Sequence, residues 1–337
     1  MAAQDIEYVE VYTSDEGTAV EYFVSSFGFT LVAESIGEGS HSSLLRQGTV
    51  QIVVTAGRGT EEFLETHGDG IADIAFACDD VGRARDRAVA AGASMITSEP
   101  DRQVVSGLFC ARHSLVARSA GSRAPADRVW IRLQETPVPT GHIRLLDHVA
   151  VCVEGGTLAE SADFYGTAFG LPRYSSEYVE VGEQGLDSIV VRSPSGGITF
   201  TILEQDPKKK PGQLEGFLSR YGGQGVQHLA FLVDDIVSAV RDYRDSGVEF
   251  LTTPSAYYDM LAERLPAIQG EIADLRATNV LADRDEWGYL LQLFTRSPYA
   301  RNTVFYELVQ RRGARGFGSA NIKALYEAVE RDGLAAE

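Results

Sequence analysis

Residues 145–176 read LLDHVAVCVEGGTLAESADFYGTAFGLPRYSS, and the same plan stands at 5–35 as DIEYVEVYTSDEGTAVEYFVSSFGFTLVAES. The quoted stretch opens with alternation: Leu146, His148, Ala150 and Cys152 share one face of a strand, and Asp147, Val149 and Val151 share the other. Then the period changes. In LAESADFYGTAF, 158–169, Leu158, Ala162, Phe164, Tyr165 and Phe169 gather toward one face of a helix that Gly170 is placed to end. Strands follow at YSSEYVEV, DSIVVRS and GITFTILE, separated by glycine and Ser-Pro-Ser-Gly-Gly turn signals, so the unit reads βαβββ.

The unit recurs. GVQHLAFLVDDIVSAVRDYRDSGVEFLT, 225–252, supplies a strand, a helix from Asp234 or Asp235 through Tyr243 and a stop at Gly247, with further strands expected near VEFLTTP, YLLQLFT and TVFYELVQ. Its counterpart in the first half is GIADIAFACDDVGRARDRAVAAGASMIT, 70–97. The chain therefore divides into four βαβββ modules of an α+β fold, in an N-terminal domain at 1–138 and a C-terminal domain at 139–337. The join falls at TPVPTGHIR, 136–144, where prolines and a glycine interrupt the pattern. Residues 114–128 read as a loop and 254–277 as a partly helical insertion. The closing SANIKALYEAVERD places Ile322, Leu325, Tyr326 and Val329 on one face of an amphipathic helix, with Ser319 or Asn321 as its expected cap.

Composition narrows the class. With 337 residues, 44% apolar and 23% charged, the chain has the make-up of a soluble globular protein long enough for two cores. Its formal net charge of −18 argues against nucleic acid or an anionic membrane surface as a partner, because both would be repelled. Cys78, Cys110 and Cys152 are odd in number and set in apolar runs, which suits reduced, buried thiols and a cytoplasmic location. No apolar run approaches the length of a membrane span.

The duplication singles out the residues able to carry chemistry. Tyr8 aligns with His148 and Asp73 with His228, so only the second half has imidazoles at these module positions. A histidine inside an apolar strand is ordinarily a hydrogen-bonded core residue; two at equivalent positions of paired modules point instead into one cavity. Glu307 alternates against Tyr306 and Leu308, an expensive place for a carboxylate unless it is exposed or ligated. Two imidazoles and one carboxylate with open positions suit non-haem Fe(II) oxygen chemistry. His41, His67, His113 and His142 fall in loop-like or unaligned stretches and read as surface residues.

The runs GQGVQHLAF, SAYYDML, LADRDEWGYLLQLFT and TVFYELVQRRGARGFGSANIKALYEAVE resemble 4-hydroxyphenylpyruvate dioxygenase and its close relative 4-hydroxymandelate synthase, of the vicinal oxygen chelate superfamily. The resemblance spans nearly the whole chain and is dense from about residue 145 onward. It implies that His148, His228 and Glu307 are Fe(II) ligands and that the C-terminal helix gates the active site. It also places Ser188, Gln213, Gln227, Gln292, Phe294 and Phe317 around the substrate, 4-hydroxyphenylpyruvate, which acts with O2. An even-numbered homo-oligomer, a dimer, is the family expectation.

Two products are possible in such a family, homogentisate by attack on the ring or 4-hydroxymandelate by hydroxylation of the benzylic carbon. Where the dioxygenases typically read Pro-Leu-Asn-Glu, this chain has Thr201-Ile202-Leu203-Glu204, and where they carry two phenylalanines in the last helix it has Ile322 and Tyr326. Thr201, Leu203, Ile322 and Tyr326, with the phrase LRATNVLAD at 275–283, are similar to the synthases, so 4-hydroxymandelate is the expected product. Metal-free drug-binding proteins of the same fold are the competing class. Catechol ring-cleaving enzymes share the two histidines and the glutamate but lack the closing GFGSANIKALYE run.

Overall fold

A computed structural model describes residues 3–99, 102–118, 124–133, 141–181, 183–321 and 323. The first half supplies strands β1 (Ala3–Tyr12), β2 (Thr30–Ile36), β3 (Ser40–Gln47), β4 (Val50–Gly57), β5 (Gly70–Cys78), β6 (Met95–Glu99), β7 (Arg102–Ser106), β8 (Arg112–Ala117) and the short β9 (Ile131–Arg132). The second supplies β10 (Ile143–Val153), β11 (Arg173–Val181), β12 (Gln184–Arg192), β13 (Thr199–Gln205), β14 (Gly225–Val233), β15 (Leu281–Arg284), β16 (Tyr289–Phe294) and β17 (Phe305–Arg312). Helices are α1 (Glu16–Glu21), α2 (Glu61–His67), α3 (Val81–Ala90), α4 (Leu158–Phe169), α5 (Gln213–Tyr221), α6 (Ile236–Asp245), α7 (Ser255–Arg264) and α8 (Ile272–Thr278).

The strands form two sheets of the same design. In the second the order is β11-β12-β13-β10-β14-β17-β16-β15; in the first it is β6-β7-β8-β5-β1-β4-β3-β2, with β9 added beside β2. Each module pairs its first strand in parallel with its last, and the two modules of a sheet join through their first strands running antiparallel. The repeat extends to register. Tyr8 faces Ala75 and Glu10 faces Asp73 across β1/β5, as His148 faces Ala230 and Ala150 faces His228 across β10/β14. Register breaks fall at matching places too, between Ile6 and Tyr8 and between Leu146 and His148.

Helix starts follow from the repeated Asp-Asp pairs: Asp80 caps α3 by accepting from the Arg83 N–H, and Asp235 caps α6 by accepting from the Ser238 N–H. Gly170 ends α4 in the left-handed region at φ 73°, where a side chain would be strained. One face of each sheet is covered by helices, and there the halves interlock. Phe23, in the π turn Tyr22–Ser26 that follows α1, and Phe27, which caps that turn, pack edge-on against Tyr306 of β17 with ring centroids 5.4 and 5.7 Å apart. In return Phe169 of α4 packs on Phe76 of β5 at 5.1 Å. Each of these rings is buried, a contribution of about 1.5–3 kcal/mol apiece, so a single apolar core runs between the sheets. The opposite faces are left for sites.

Four local expectations change. The strand expected near 248–254 is reduced to one bridge, Phe250 to Thr295, and the edge strand comes instead from Leu281–Arg284, after the insertion has folded into α7, a 3-10 turn at 266–271 and α8. Residues 114–117 belong to β8 rather than a loop, paired on both sides and not governed by the polar composition that follows them. Cys78 and Cys152 are buried and free, but Cys110 is exposed, in a turn. The last helical turn starts at Ser319, and Asp283 of β15 accepts from the Ala320 N–H at 3.1 Å, doing the capping expected of Ser319 or Asn321. Ile322, Leu325, Tyr326 and Val329 lie outside the described residues, as do positions 136–140 of the join.

Candidate metal centre

Parity along the strands decides which side chains meet. His148 of β10, Ala230 of β14 and Glu307 of β17 form one row across three strands, and His228 lies one step on, between Ala150 and Phe305. The two alanines leave room for the larger groups to lean together. His148 Nε2 and His228 Nε2 each lie 3.2 Å from the same atom, Glu307 Oε2. One candidate ligand atom from each residue falls within 4.8 Å of the others, and all three residues are buried.

The ring nitrogens that point away are held. Asp147 Oδ1 accepts from His148 Nδ1 at 2.8 Å, and Gln227 Oε1 accepts from His228 Nδ1 at 3.2 Å, leaving both Nε2 atoms aimed at the centre. Gln292 Nε2 donates to Glu307 Oε1 at 2.6 Å, so Oε2 is the oxygen left to ligate. Arg311 grips Asp147 through Nε and Nη2, both at 2.7 Å. Three rings surround the cage: Phe317 edge-on to His148 at 5.2 Å, Phe305 stacked on His228 at 4.9 Å and Phe294 edge-on to His228 at 6.0 Å. Little water can reach it.

Burial alone would lower the pKa of His148, but the carboxylates of Glu307 and Asp147 outweigh it and push it up to about 9. Burial would raise Glu307, and the two imidazoles hold it down to about 2 instead. His228 is lowered by burial, and the charge on neighbouring His148 acts in the same direction, against the opposing pull of Glu307. Without a metal the cage is thus an ionised carboxylate beside one imidazolium. A divalent cation would replace that proton and satisfy all three groups, and the two-nitrogen, one-oxygen donor set fits a facial triad with open positions.

The cage opens into a cavity of about 550 Å³. Ser188, Thr201 and Leu203 reach it from β12 and β13, Gln227 and His228 from β14, and Gln292 and Phe294 from β16; Phe317 closes one side. Helix α5 lies over the cavity, with Gln213, Phe217 and Arg220 on one face at i, i+4 and i+7. The eleven described residues expected at the site thus line one cavity, and Ile322 and Tyr326 lie outside the described residues. Sequence reasoning passed over Val190 and Phe305, which alternation places two residues from Ser188 and from Glu307, and Arg220, which the helical period of α5 would have supplied.

The first half shows what replaces the cage. At the positions of His148 and His228 stand Tyr8 and Asp73, and Arg112 takes the place of Phe305. Arg112 bonds Asp73 at 3.2 Å and Glu10 at 3.0 Å, Arg128 bonds Glu10 at 3.0 Å, and Ser114 donates to Asp73 at 2.5 Å. Asp73 and Glu10 are 0% and 1% exposed, so guanidinium groups supply the positive charge. The other histidines are not free surface groups. His113 is fully buried between Ile74 O and the Tyr165 hydroxyl, with burial holding its pKa down to about 4. His41 pairs with Glu16, His142 with Asp242, and His67 stacks on Tyr221.

Comparisons with known proteins agree with this architecture. Residues 145–293 match the Glyoxalase/Bleomycin resistance protein/Dioxygenase superfamily, and residues 1–108 match the N-terminal domain of hydroxyphenylpyruvate dioxygenase. The chain is 30% identical to a 4-hydroxyphenylpyruvate dioxygenase of Yarrowia lipolytica, covering 97% of this chain and 91% of the relative. It is 32% identical to one of Legionella pneumophila, covering 91% and 88%. Among solved structures, a triply substituted 4-hydroxymandelate synthase from Streptomyces coelicolor superposes with a TM-score of 0.93 at 52% identity, covering 98% of this chain and 99% of the other.

Proposed function

The chain belongs to the 4-hydroxyphenylpyruvate dioxygenase and 4-hydroxymandelate synthase family, and from that membership we propose that it holds Fe(II) and converts 4-hydroxyphenylpyruvate and O2 to 4-hydroxymandelate and CO2. The observation that carries this reading is the buried His148–His228–Glu307 cage opening into a cavity that mixes apolar side chains such as Leu203, Phe217 and Phe294 with polar ones such as Ser188, Gln213 and Gln292. Bound there, Fe(II) would supply the redox chemistry that lets O2 react with a closed-shell organic acid. A protein that merely sequesters drugs has no need of three buried groups converging on one point.

The chain's own residues have separable duties. Asp147 and Gln227 fix the imidazole tautomers, Gln292 orients Glu307, and Phe294, Phe305 and Phe317 keep water from the reacting atoms. Leu203, Val190 and Thr201 line the wall on the β12–β13 side. An apolar Leu203 offers no amide to fix a phenol, so the ring is free to turn until its benzylic carbon, not its ring carbon, lies nearest the oxidant. Displacements of this size change rates by orders of magnitude. The Streptomyces coelicolor structure carries substitutions at a serine, at a valine two residues later and at a tyrosine; Ser188, Val190 and Tyr326 stand here at the same intervals. That agreement, and 52% identity to the synthase against 30–32% to the two dioxygenases, support the mandelate product.

The test is incubation with 4-hydroxyphenylpyruvate, Fe(II) and O2, followed by chromatography against both isomeric products. Mandelate should dominate, and Leu203→Asn with Tyr326→Phe should shift the ratio toward homogentisate. Dominant homogentisate from the unaltered protein would overturn the product assignment.

A further inference from the structure

Two hydrogen-bond paths run from the ligand cage to the turn that follows the last strand. Along the first, His148 leads to Asp147, Asp147 to Arg311, and Arg311 Nη1 donates to the Gly316 carbonyl at 2.7 Å. The same guanidinium lies 5.0 Å over the ring of Phe317, which itself touches His148. Along the second, Gln292 donates through one Nε2 to Glu307 at 2.6 Å and to the Phe317 carbonyl at 3.4 Å. Asn321 Nδ2 then donates to Gln292 Oε1 at 2.8 Å, and the Tyr257 hydroxyl of α7 reaches Asn321 Oδ1 at 3.1 Å.

Asn321 and Gln292 are 0% and 3% exposed, so these contacts have no water to replace them. If the turn 313–321 moved away, Gln292 and Arg311 would each lose partners while still bonded to Glu307 and Asp147. The groups that orient the ligands would then be free to reorient. Residues that fix ligands in this way change metal affinity without touching the metal.

We propose that the turn 313–321 and the metal cage form one cooperative unit, with Arg311 and Asn321 as its positioning residues, so that a divalent cation binds tighter when the turn is seated and in binding seats it. Reciprocity is required by linkage: whatever factor the seated turn adds to metal affinity, the metal returns to seating. The proposal rests on the reading of His148, His228 and Glu307 as a metal site.

The test uses the full chain, anaerobic titration with Co(II) followed by its d–d absorption, and hydrogen exchange of the amides of 313–321 with and without Co(II). Asn321→Ala, whose side chain touches no ligand, should weaken Co(II) binding about fivefold or more and reduce by the same factor the slowing of exchange that Co(II) produces in the unaltered protein. Arg311→Lys, which keeps the charge and loses the forked grip on Asp147, should act in the same direction. Lys323→Ala, an exposed change two residues on, should alter neither reading. Equal Co(II) affinity in Asn321→Ala and the unaltered protein, or exchange at 313–321 indifferent to Co(II), would overturn the coupling alone. Failure of the unaltered protein to bind Co(II) would overturn the metal reading and the coupling with it.

Discussion

Replacing Arg112 with leucine tests whether charge pairing holds the first half's counterpart of the metal cage. Arg112 is the partner shared by Asp73, at 3.2 Å, and Glu10, at 3.0 Å, and both carboxylates are fully buried. Glu10 retains Arg128 in the variant, and among the described residues Asp73 retains only its bonds to Ser114. Removing one partner of a buried pair costs about 3–5 kcal/mol, because the survivor stays buried and uncompensated. Burial already raises the Asp73 pKa, with Arg112 opposing it, so loss of the guanidinium raises it further. The sign follows: a carboxylate protonated more readily in the folded state than in the unfolded one loses stability as pH rises. Arg112→Leu should therefore cost more at neutral pH than at acidic pH, where protonation of Asp73 removes the uncompensated charge. Urea unfolding followed by the fluorescence of Trp130, which lies beside Arg128, measures both values. The double variant Arg112→Leu with Asp73→Asn should recover most of the loss. A penalty under about 1 kcal/mol, the range of a surface pair, or one that is the same at both pH values, would refute charge pairing as what holds this cluster.

Two further outcomes concern the site itself. Because His148 is raised to about 9 in the metal-free cage and must be neutral to ligate, each bound ion displaces a proton below that pH. Apparent divalent-metal affinity should climb about tenfold per pH unit from about 6.5 to 7.5, and a flat anaerobic titration over that range would show His148 to be neutral already. Arg220, on the cavity face of α5, is set to attract an anionic substrate into a protein of formal net charge −18. Arg220→Gln should raise KM roughly fivefold, leave kcat within about twofold and weaken the salt dependence of kcat/KM; a fall in kcat with KM unchanged would assign Arg220 a different duty.

Much of this site was legible because strands carry their geometry in the sequence. A period of two put His148 on the face opposite Asp147 and Glu307 on the face opposite Tyr306, and the duplication showed which two histidines occupy matching places. What alternation cannot reveal is contact across strands far apart in the chain. His113 looked like a surface residue because its run borders a polar stretch, yet β8 lies between β5 and β7 and α4 of the other half closes over it. Likewise Asn321 was read as a cap from its neighbours alone, while its partners, Gln292 and Tyr257, come from elements 29 and 64 residues away in sequence.

The sequence by itself determined the module, its four repetitions, the half that carries the imidazoles and the carboxylate, and the family. These are local or repeated properties, written in spacing and residue type. Only the tertiary structure decided that both histidines converge on the same oxygen of Glu307, that guanidinium groups fill the equivalent space in the first half, and that the closing turn is bonded to the cage through Arg311 and Asn321. Each of these depends on register between strands and on which polar atoms are left without water, quantities that exist only once the two sheets have formed.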